Sequence, residues 1–258
     1  MSQSLDRALR ALTAIAEGKT TLNELAETLD VHRTTALRLL RTLERHRFVF
    51  RPDPNHYQLG SGLFALSTTA LASRDIRQVA HPYLVKLSQR HGHTVHLAAY
   101  ESGSVVYIDK VDSTKPVGLY SRIGDIAPLY CTAVGKLLLA AQPKAESRRI
   151  ANSLTYTAYT DATITNAADL LAELDAIRAK GHATAKGEHE DFVHCVAAPI
   201  TDGAGTVIAA ASISVASMML GDGEVERYLP SLLEIAREIS GQYDSPASRL
   251  PTESVADE

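Results

Sequence analysis

Six arginines and a single acidic residue lie between positions 31 and 51 of this 258-residue chain. Thr34, Arg38, Arg41 and Arg45 recur there at steps of four, three and four, so a helix would carry all four on one face. Guanidinium groups donate hydrogen bonds to phosphate oxygens and to guanine edges. The spacing therefore predicts a surface that binds a polyanion.

The distribution of charge supports this prediction although the whole chain is acidic. The formal net charge is −4, from 26 Lys/Arg and 30 Asp/Glu. Residues 1–60 hold nine basic and seven acidic residues, a charge of +2, while the remainder holds 17 and 23, a charge of −6. A compact cationic patch on an otherwise acidic protein is typical of a site that contacts phosphates.

The elements that position this face can be predicted from local signals. Thr21 and Glu24 form a capping box at the start of a short helix, and Asp30 is suited to the left-handed turn that ends it. The cationic helix follows from residue 32 or 33, with Ala36, Leu40 and Leu43 facing inward. Two short helices joined by a tight turn make a helix-turn-helix, whose second helix enters the major groove.

Two short strands follow this helix and are predicted to form a wing. Residues 48–51 and 56–59 read as strands, and 52–55, with two prolines, as the turn between them. The predicted contacts with double-stranded DNA are a mixture of base-edge and phosphate contacts, made by His32, Arg33, Thr34, Thr35, Arg38, Arg41, Arg45, Arg51 and His56.

The rest of the chain predicts a larger α+β domain with a mainly antiparallel sheet, because strands occur in adjacent pairs with helices between them. Strands are expected at 94–100, 105–111, 117–122, 182–185, 193–201 and 207–214, and helices near 76–90, 132–141, 144–153, 168–180 and 225–243. The predicted boundaries are a winged helix-turn-helix at 1–60, a connecting or dimerisation helix at 61–74, the larger domain at 75–243 and a disordered tail at 244–258.

Three stretches resemble the IclR family of bacterial transcriptional regulators. The first is Leu22–Ala26 with Thr34–Leu40, the second is Pro128–Lys136, and the third is Cys195–Ile200 with Ala209–Ser214. The likeness spans about Ser4 to Tyr243. It implies a GAF-like domain that binds a small effector, often a carboxylate, and a homodimer or dimer of dimers acting as a repressor of catabolic genes.

The resemblance also implies which residues bind the effector. They are pocket residues carried over from the family pattern, namely Leu119, Leu129, Ala133, Val134, Cys195, Ser212 and Ser214. Their chemistry suits an anion, because Thr132 can cap a helix whose first amides, at Ala133 and Val134, remain free. Ser212 and Ser214 lie two apart on a strand, so their hydroxyls share a face.

One departure from the family pattern bears on the ligand. Ala185 and Gly187 stand where acidic residues are frequent in the family, although Glu188 remains. The runs Tyr107–Ser113 and Tyr120–Gly124 look closest to sugar-acid-responsive members of the KdgR type. A hexonate or a 2-keto-3-deoxy sugar acid is the resulting expectation.

Other function classes fit the sequence less well. The residues around Gly135-Lys136 fail the phosphate-loop pattern, 203–205 fail the dinucleotide pattern, and no Gly-x-Ser-x-Gly elbow occurs, so no enzyme and no cofactor are expected. A zinc sensor is the alternative, since histidines cluster at 91–96 and again at 189–194 beside Cys195. A DNA binder without a ligand is disfavoured by the size of the second domain.

The sequence also predicts a cytoplasmic location. No apolar stretch approaches 18 residues, and the first ten residues lack the apolar core of a signal peptide. Two cysteines, Cys131 and Cys195, make no disulfide framework.

Overall fold

The computed structural model describes residues 2–72, 75–115, 119–220 and 224–244, and the chain divides into two units, 1–73 and 74–258. The first unit contains four helices and a hairpin among these residues. In chain order they are α1 (Gln3–Ala16), α2 (Leu22–Thr28), α3 (Arg33–Arg45), β1 (Val49–Asp53), β2 (His56–Leu59) and α4 (Gly62–Ala72).

The predicted helix-turn-helix and wing are confirmed in the first unit. Thr21 Oγ1 accepts a hydrogen bond from the Glu24 amide at 3.4 Å, and Glu24 Oε2 accepts one from the Thr21 amide at 2.9 Å. Asp30 has a φ of 51°, the left-handed conformation that ends α2 and turns the chain into α3. Strands β1 and β2 pair antiparallel as the wing.

The core of the first unit fixes the angle between its helices. Ala11 from α1, Leu25 from α2 and Leu40 from α3 are fully buried together, and Val49 and Tyr57 of the wing pack against them. The apolar side of α3 is therefore held inward, and its opposite side is left facing solvent.

The second unit is a six-stranded sheet with helices on both faces. Its described helices are α5 (Asp75–His91), α6 (Ala133–Ala140), α7 (Lys144–Ser153), α8 (Ala167–Lys180) and α9 (Leu229–Tyr243). Its described strands are β3 (Thr94–Glu101), β4 (Ser104–Val111), β5 (Ile126–Ala127), β6 (Ala183–Lys186), β7 (Val193–Thr201) and β8 (Val207–Ala216).

The predicted antiparallel sheet is confirmed. The strand order is β5-β4-β3-β8-β7-β6, and each neighbouring pair is antiparallel. One face of the sheet packs on α5 and α9, through residues such as Leu84 and Ile235. The other face packs on α6 and α8, through residues such as Leu138 and Leu174. Each face thus buries its own apolar layer.

The predicted strand at 117–122 is wrong over 119–122, and residues 117 and 118 lie outside the described part. The backbone carbonyls of Leu119 and Ser121 accept hydrogen bonds from Lys110 Nζ at 2.9 and 2.7 Å, and the Arg122 amide donates to Asp125 Oδ2 at 2.7 Å. Because side chains take these backbone groups, no ladder forms there. The edge of β4 away from β3 pairs with the two-residue β5 instead.

The two ends of the second unit differ slightly from expectation. The predicted helix at 225–243 begins with a short 3₁₀ turn, Val225–Tyr228, and becomes α-helical at Leu229. Asp244 caps the C-terminus of that helix, and the remainder of the predicted disordered tail, 245–258, lies outside the described residues.

The start of α6 packs unusually close to the chain before it, and this contact can be tested. A Cβ at Gly135 would overlap the Pro128 carbonyl oxygen and lie 2.6 Å from Thr132 Oγ1, whereas a Cβ at Gly241 in α9 meets nothing within 4 Å. We expect Gly135→Ala to lower the free energy of unfolding by about 1–3 kcal/mol through overpacking. The matched change Gly241→Ala should raise it by up to about 1 kcal/mol through helix propensity. Urea unfolding compares them, and equal effects would contradict the close contact.

Candidate nucleic-acid interface and ligand pocket

The outer face of α3 presents its cationic residues to solvent. Thr34, Arg38, Arg41 and Arg45 are all exposed on that face, while Ala36 on the opposite side is fully buried. Arg33 is exposed and Thr35 half-buried at the start of the helix. The exposed sequence-predicted contact residues of α3 therefore lie along one face over the whole length of the helix.

The other three predicted contact residues, His32, Arg51 and His56, also form contacts with neighbouring residues of the first unit. His32 is the N-cap of α3, and its Nδ1 lies 3.0 Å from Thr34 Oγ1 and 3.4 Å from the Thr34 amide. Each of the three remains exposed. His32 is therefore placed at the end of α3 where base edges would be reached, with its ring orientation fixed by the cap.

In the wing, Arg51 and His56 are tied to the turn between β1 and β2. Arg51 donates to the Pro54 carbonyl and lies over the Tyr57 ring at 5.4 Å. His56 Nδ1 lies 2.8 Å from Asp53 Oδ2. Hydrogen bonds from the Asn55 amide and then from His56 lower the pKa of Asp53. The hairpin tip thus presents both side chains in a defined geometry.

A cavity of about 240 Å³ opens in the second unit between the start of α6 and the sheet. Six of the seven sequence-predicted pocket residues line it. They come from the chain before β5, the start of α6 and strands β7 and β8, and they are Leu119, Ala133, Val134, Cys195, Ser212 and Ser214. Ser212 and Ser214 are both buried on β8, with their side chains on the same face of the sheet. The structure therefore brings together residues that are almost 100 positions apart.

Leu129 is the exception among the predicted pocket residues. It is buried in the apolar layer with Leu137 and Leu138, and its neighbour Pro128 lines the cavity instead. The Leu129 side chain therefore belongs to the apolar layer beneath α6 and not to the cavity lining.

The N-terminus of α6 supplies hydrogen-bond donors to the cavity. Thr132 is the N-cap, and its Oγ1 accepts from the Gly135 amide at 3.0 Å. Ala133 and Val134 are the first two residues of the helix, whose amides have no partner one turn earlier, and both residues line the cavity. The helix dipole adds partial positive charge at this end. An oxygen-bearing anion suits this position.

The floor of the cavity is a row of hydrogen-bonded polar side chains from β3, β7 and β8. Cys195 Sγ donates to Ser214 Oγ at 3.1 Å, and Ser214 Oγ lies 3.4 Å from His96 Nδ1. Burial raises the pKa of the Cys195 thiol to about 11 and that of Cys131 to about 12, so both thiols stay protonated at neutral pH. Burial also lowers the pKa of His96 to about 3, so its ring is uncharged.

Acidic residues form another part of the cavity lining. Asp125, Glu188 and Glu190 line it, and none of the described lining residues is Lys or Arg. Glu190 Oε2 is buried without a hydrogen-bond partner among the described residues. The cavity therefore has one donor end, at α6, and an acceptor-rich remainder.

Sequence reasoning missed His96, Tyr107, Ser121, Asp125 and Glu190, all of which line the cavity. The pairing of β3 with β8 places His96 directly opposite Ser212. That pairing joins strands more than 100 residues apart, so no local pattern reports it. Alternation along 94–101 was the available signal, since it predicts that alternate side chains of this strand share a face.

The predicted zinc alternative gains no support from the geometry. Within the described residues no group of three or more His, Cys, Asp or Glu side chains is close enough to hold a metal ion.

Within the same residues, no helix is both long and apolar enough to cross a membrane.

Comparison with known proteins assigns both units. Residues 4–53 match the IclR helix-turn-helix domain, and residues 68–241 match the domain described as bacterial transcriptional regulator IclR C-terminal. The chain belongs to the IclR family. It is a ligand-responsive, DNA-binding transcriptional regulator and not an enzyme.

Individual relatives of this IclR-family chain cover most of its length. The HTH-type transcriptional regulator KdgR of Escherichia coli K12 is 35% identical over 86% of this chain and 84% of its own. XynR of the same organism is 33% identical over 95% and 98%. The crystal structure of the Thermotoga maritima IclR matches with a TM-score of 0.77 at 33% identity, covering 95% of this chain and all of that one.

In this IclR-family regulator a buried ion pair joins the helix start to the acidic side of the cavity. Lys136, only 1% exposed, donates from Nζ to the Glu188 carboxylate at 2.7 and 2.9 Å, and to Glu173 Oε1 at 3.1 Å. Burial raises the pKa of Glu188, and Lys136 partly offsets that effect. Glu188 is therefore engaged with Lys136, which leaves Glu190 and Asp125 as the acids facing the cavity.

Removing the cation tests this ion pair. Lys136→Met leaves the Glu188 carboxylate buried without its partner, and we expect the free energy of unfolding to fall by about 3–5 kcal/mol. Because the folded state then favours protonated Glu188, stability is retained below its raised pKa and lost above it. The loss should be larger at about pH 8 than at about pH 5.5.

The double variant Lys136→Met/Glu188→Gln is the control. It should recover most of the loss, and Glu173→Gln alone should cost less than about 1 kcal/mol because Glu173 is 31% exposed. Urea unfolding followed by circular dichroism measures all four proteins. A pH-independent loss that the double variant fails to recover would contradict the assignment.

Proposed function

We propose that this regulator is a cytoplasmic homodimeric repressor that releases its operator when a small polyhydroxy carboxylate, such as a hexonate or 2-keto-3-deoxy sugar acid, occupies the cavity of the second unit. The observation that carries the effector class is the division of that cavity into one donor end and an acceptor-rich remainder. The volume, about 240 Å³, lies just below the common range for ligand pockets, about 300–1,000 Å³, and so favours a small metabolite.

The donor end fits the carboxylate of such a ligand. Ala133 and Val134 line the cavity at a helix N-terminus, where anions are stabilised by both amide hydrogen bonds and the helix dipole. No described Lys or Arg lines the cavity to compete for the carboxylate. The anion would therefore be oriented toward α6.

The acceptor side fits hydroxyl groups. Glu190 carries a buried oxygen without a hydrogen-bond partner among the described residues, and Asp125 and Ser212 lie around the same cavity. Carboxylates accept hydrogen bonds from ligand hydroxyls, whereas a second anionic group on the ligand would be repelled. A ligand with one carboxylate and several hydroxyls satisfies both sides, which agrees with the likeness of 107–113 and 120–124 to sugar-acid-responsive relatives.

DNA binding is assigned to the exposed face of α3, with the wing contacting the backbone. The proposed homodimer is supported by apolar side chains that are exposed in the first unit, on α1 at Leu5 and Leu9 and on α4 at Phe64 and Leu66. Two copies of α3 would then read a roughly palindromic operator. We assign 61–74 to the connection that also contributes to the dimer, and the pairing of dimers into tetramers remains a proposal.

The DNA interface predicts a specific salt dependence. Arg38→Ala and Arg41→Ala should each weaken binding to a duplex selected from a random-sequence pool. Each should also reduce the slope of log affinity against log salt by about two per dimer, since each phosphate contact contributes about 0.9. Arg149→Ala, which removes an equal charge from the exposed side of α7, is the matched control. Fluorescence anisotropy at several salt concentrations decides, and an unchanged slope removes that arginine from the phosphate contacts.

The pocket predicts a separation of ligand response from DNA binding. Ser212→Ala or Ser214→Ala should reduce the affinity for 2-keto-3-deoxy-D-gluconate about tenfold or more, because a buried polar group of the ligand loses its partner. DNA affinity without ligand should stay unchanged. Ser153→Ala, at the exposed end of α7, is the control. Normal responses in both pocket variants, measured as ligand-induced release of DNA, would refute the proposed site.

A further inference from the structure

His96 occupies a central position in the cavity that the proposed function does not use. It lies on β3 opposite Ser212 of β8, is 3% exposed, and its ring centroid is 4.8 Å from that of Tyr107. A buried imidazole needs a partner for each nitrogen. Both nitrogens of His96 have one.

The two partners of His96 belong to different sides of the cavity. Nε2 lies 2.7 Å from Ser121 Oγ, and Nδ1 lies 3.4 Å from Ser214 Oγ. Ser214 is a floor residue, whereas Ser121 belongs to residues 119–125, here called the wall segment. His96 is thus the side chain that joins the floor of the cavity to its wall.

The wall segment contributes Leu119, Tyr120, Ser121 and Asp125 to the cavity. Two side chains from the sheet hold it, since Lys110 Nζ also donates to the carbonyls of Leu119 and Ser121. Lys110 binds only backbone oxygens of the segment. The one bond to a side chain of the segment among these contacts is the one from His96 to Ser121.

The contact with Ser214 differs in strength from the contact with Ser121. At 3.4 Å it lies beyond the usual range of hydrogen-bond distances between oxygen and nitrogen, about 2.7–3.2 Å. Ser214 Oγ already accepts from the protonated Cys195 thiol. The Ser214 hydroxyl can therefore donate its hydrogen bond to a better-placed ligand oxygen instead of to His96. The bond between His96 and Ser121 is kept when this happens.

We propose that His96 is a positioning residue of the effector site, which holds the wall segment over the cavity through Ser121 and contacts the effector-binding hydroxyl through Ser214. This inference rests on the proposed function for the ligand, but the tether itself exists without ligand. The ring of His96 stays uncharged because burial lowers the pKa of His96 to about 3, so the tether is maintained at neutral pH. The effector then fits only beneath a wall whose position His96 sets.

Amide hydrogen exchange of the ligand-free full-length protein tests the tether. The amides of Arg122, Gly124 and Asp125 are hydrogen-bonded, to Asp125 Oδ2 and to the carbonyls of Tyr107 and Arg122. We expect His96→Leu and Ser121→Ala each to speed exchange of peptides covering 119–125 about tenfold, which corresponds to the loss of one buried hydrogen bond. Combining the two changes should add little, because both remove the same bond.

His96→Gln separates a tether from a general packing role. The amide of Gln reaches the position of Nε2 and can donate to Ser121, so it should restore most of the protection. Exchange in β3 and β8 should stay near that of the unchanged protein in His96→Leu, Ser121→Ala and His96→Gln alike. Protection of 119–125 that is unchanged in His96→Leu and Ser121→Ala overturns the proposal, and so does equal acceleration throughout the sheet.

A calorimetric titration with 2-keto-3-deoxy-D-gluconate supplies the second arm. We expect His96→Leu and Ser121→Ala to bind about tenfold more weakly than the unchanged protein, with His96→Gln within about threefold. Unchanged affinity in these variants overturns the role of His96 in the effector site. Failure of the unchanged protein to bind refutes the proposed effector class instead, and the exchange result still decides the tether.

Discussion

A single buried ammonium group, that of Lys136, joins α6 to the chain after β6 at the edge of the cavity. Lys136 belongs to α6, whose first amides form the donor end, and it binds Glu188, which lies on the acidic side. A buried cation without hydrogen-bonded counter-ions is very costly, so α6 and the chain after β6 must keep this arrangement. This constraint fixes Glu188 beside the start of α6, the helix whose first amides form the donor end.

The same arrangement explains how a small ligand can matter to a regulator of this size. In the proposed binding mode, a ligand carboxylate at α6 and ligand hydroxyls at Glu190 and Asp125 would contact the helix layer, the loop after β6 and the wall segment. A ligand that binds one arrangement of these elements more tightly shifts the population toward it. Coupling to DNA affinity is then the difference in ligand affinity between the DNA-competent and incompetent states.

The sequence predicted the first unit well because its signals are local. The capping box of Thr21 and Glu24, the left-handed turn at Asp30 and the spacing of α3 each act within a few residues. The strand expected at 117–122 does not form over 119–122, where the Lys110 side chain takes the carbonyls of Leu119 and Ser121. No pattern within the segment itself reports that competition.

The pocket was only partly accessible from sequence for the same reason. Its predicted members came from family resemblance, and one of them, Leu129, packs into the core instead. His96 enters the cavity through the pairing of β3 with β8, and Lys136, a residue type that is normally exposed, is buried by a pair of distant acids. These features depend on tertiary contacts that a single sequence does not display.

The most direct test of the central claim is a crystal structure of the full-length protein with 2-keto-3-deoxy-D-gluconate bound. We expect the ligand carboxylate at the start of α6, within about 3 Å of the Ala133 and Val134 amides, with its hydroxyls toward Glu190 and Asp125. A ligand bound in the reverse orientation, with its carboxylate on the acidic side, or bound outside this cavity, would contradict it.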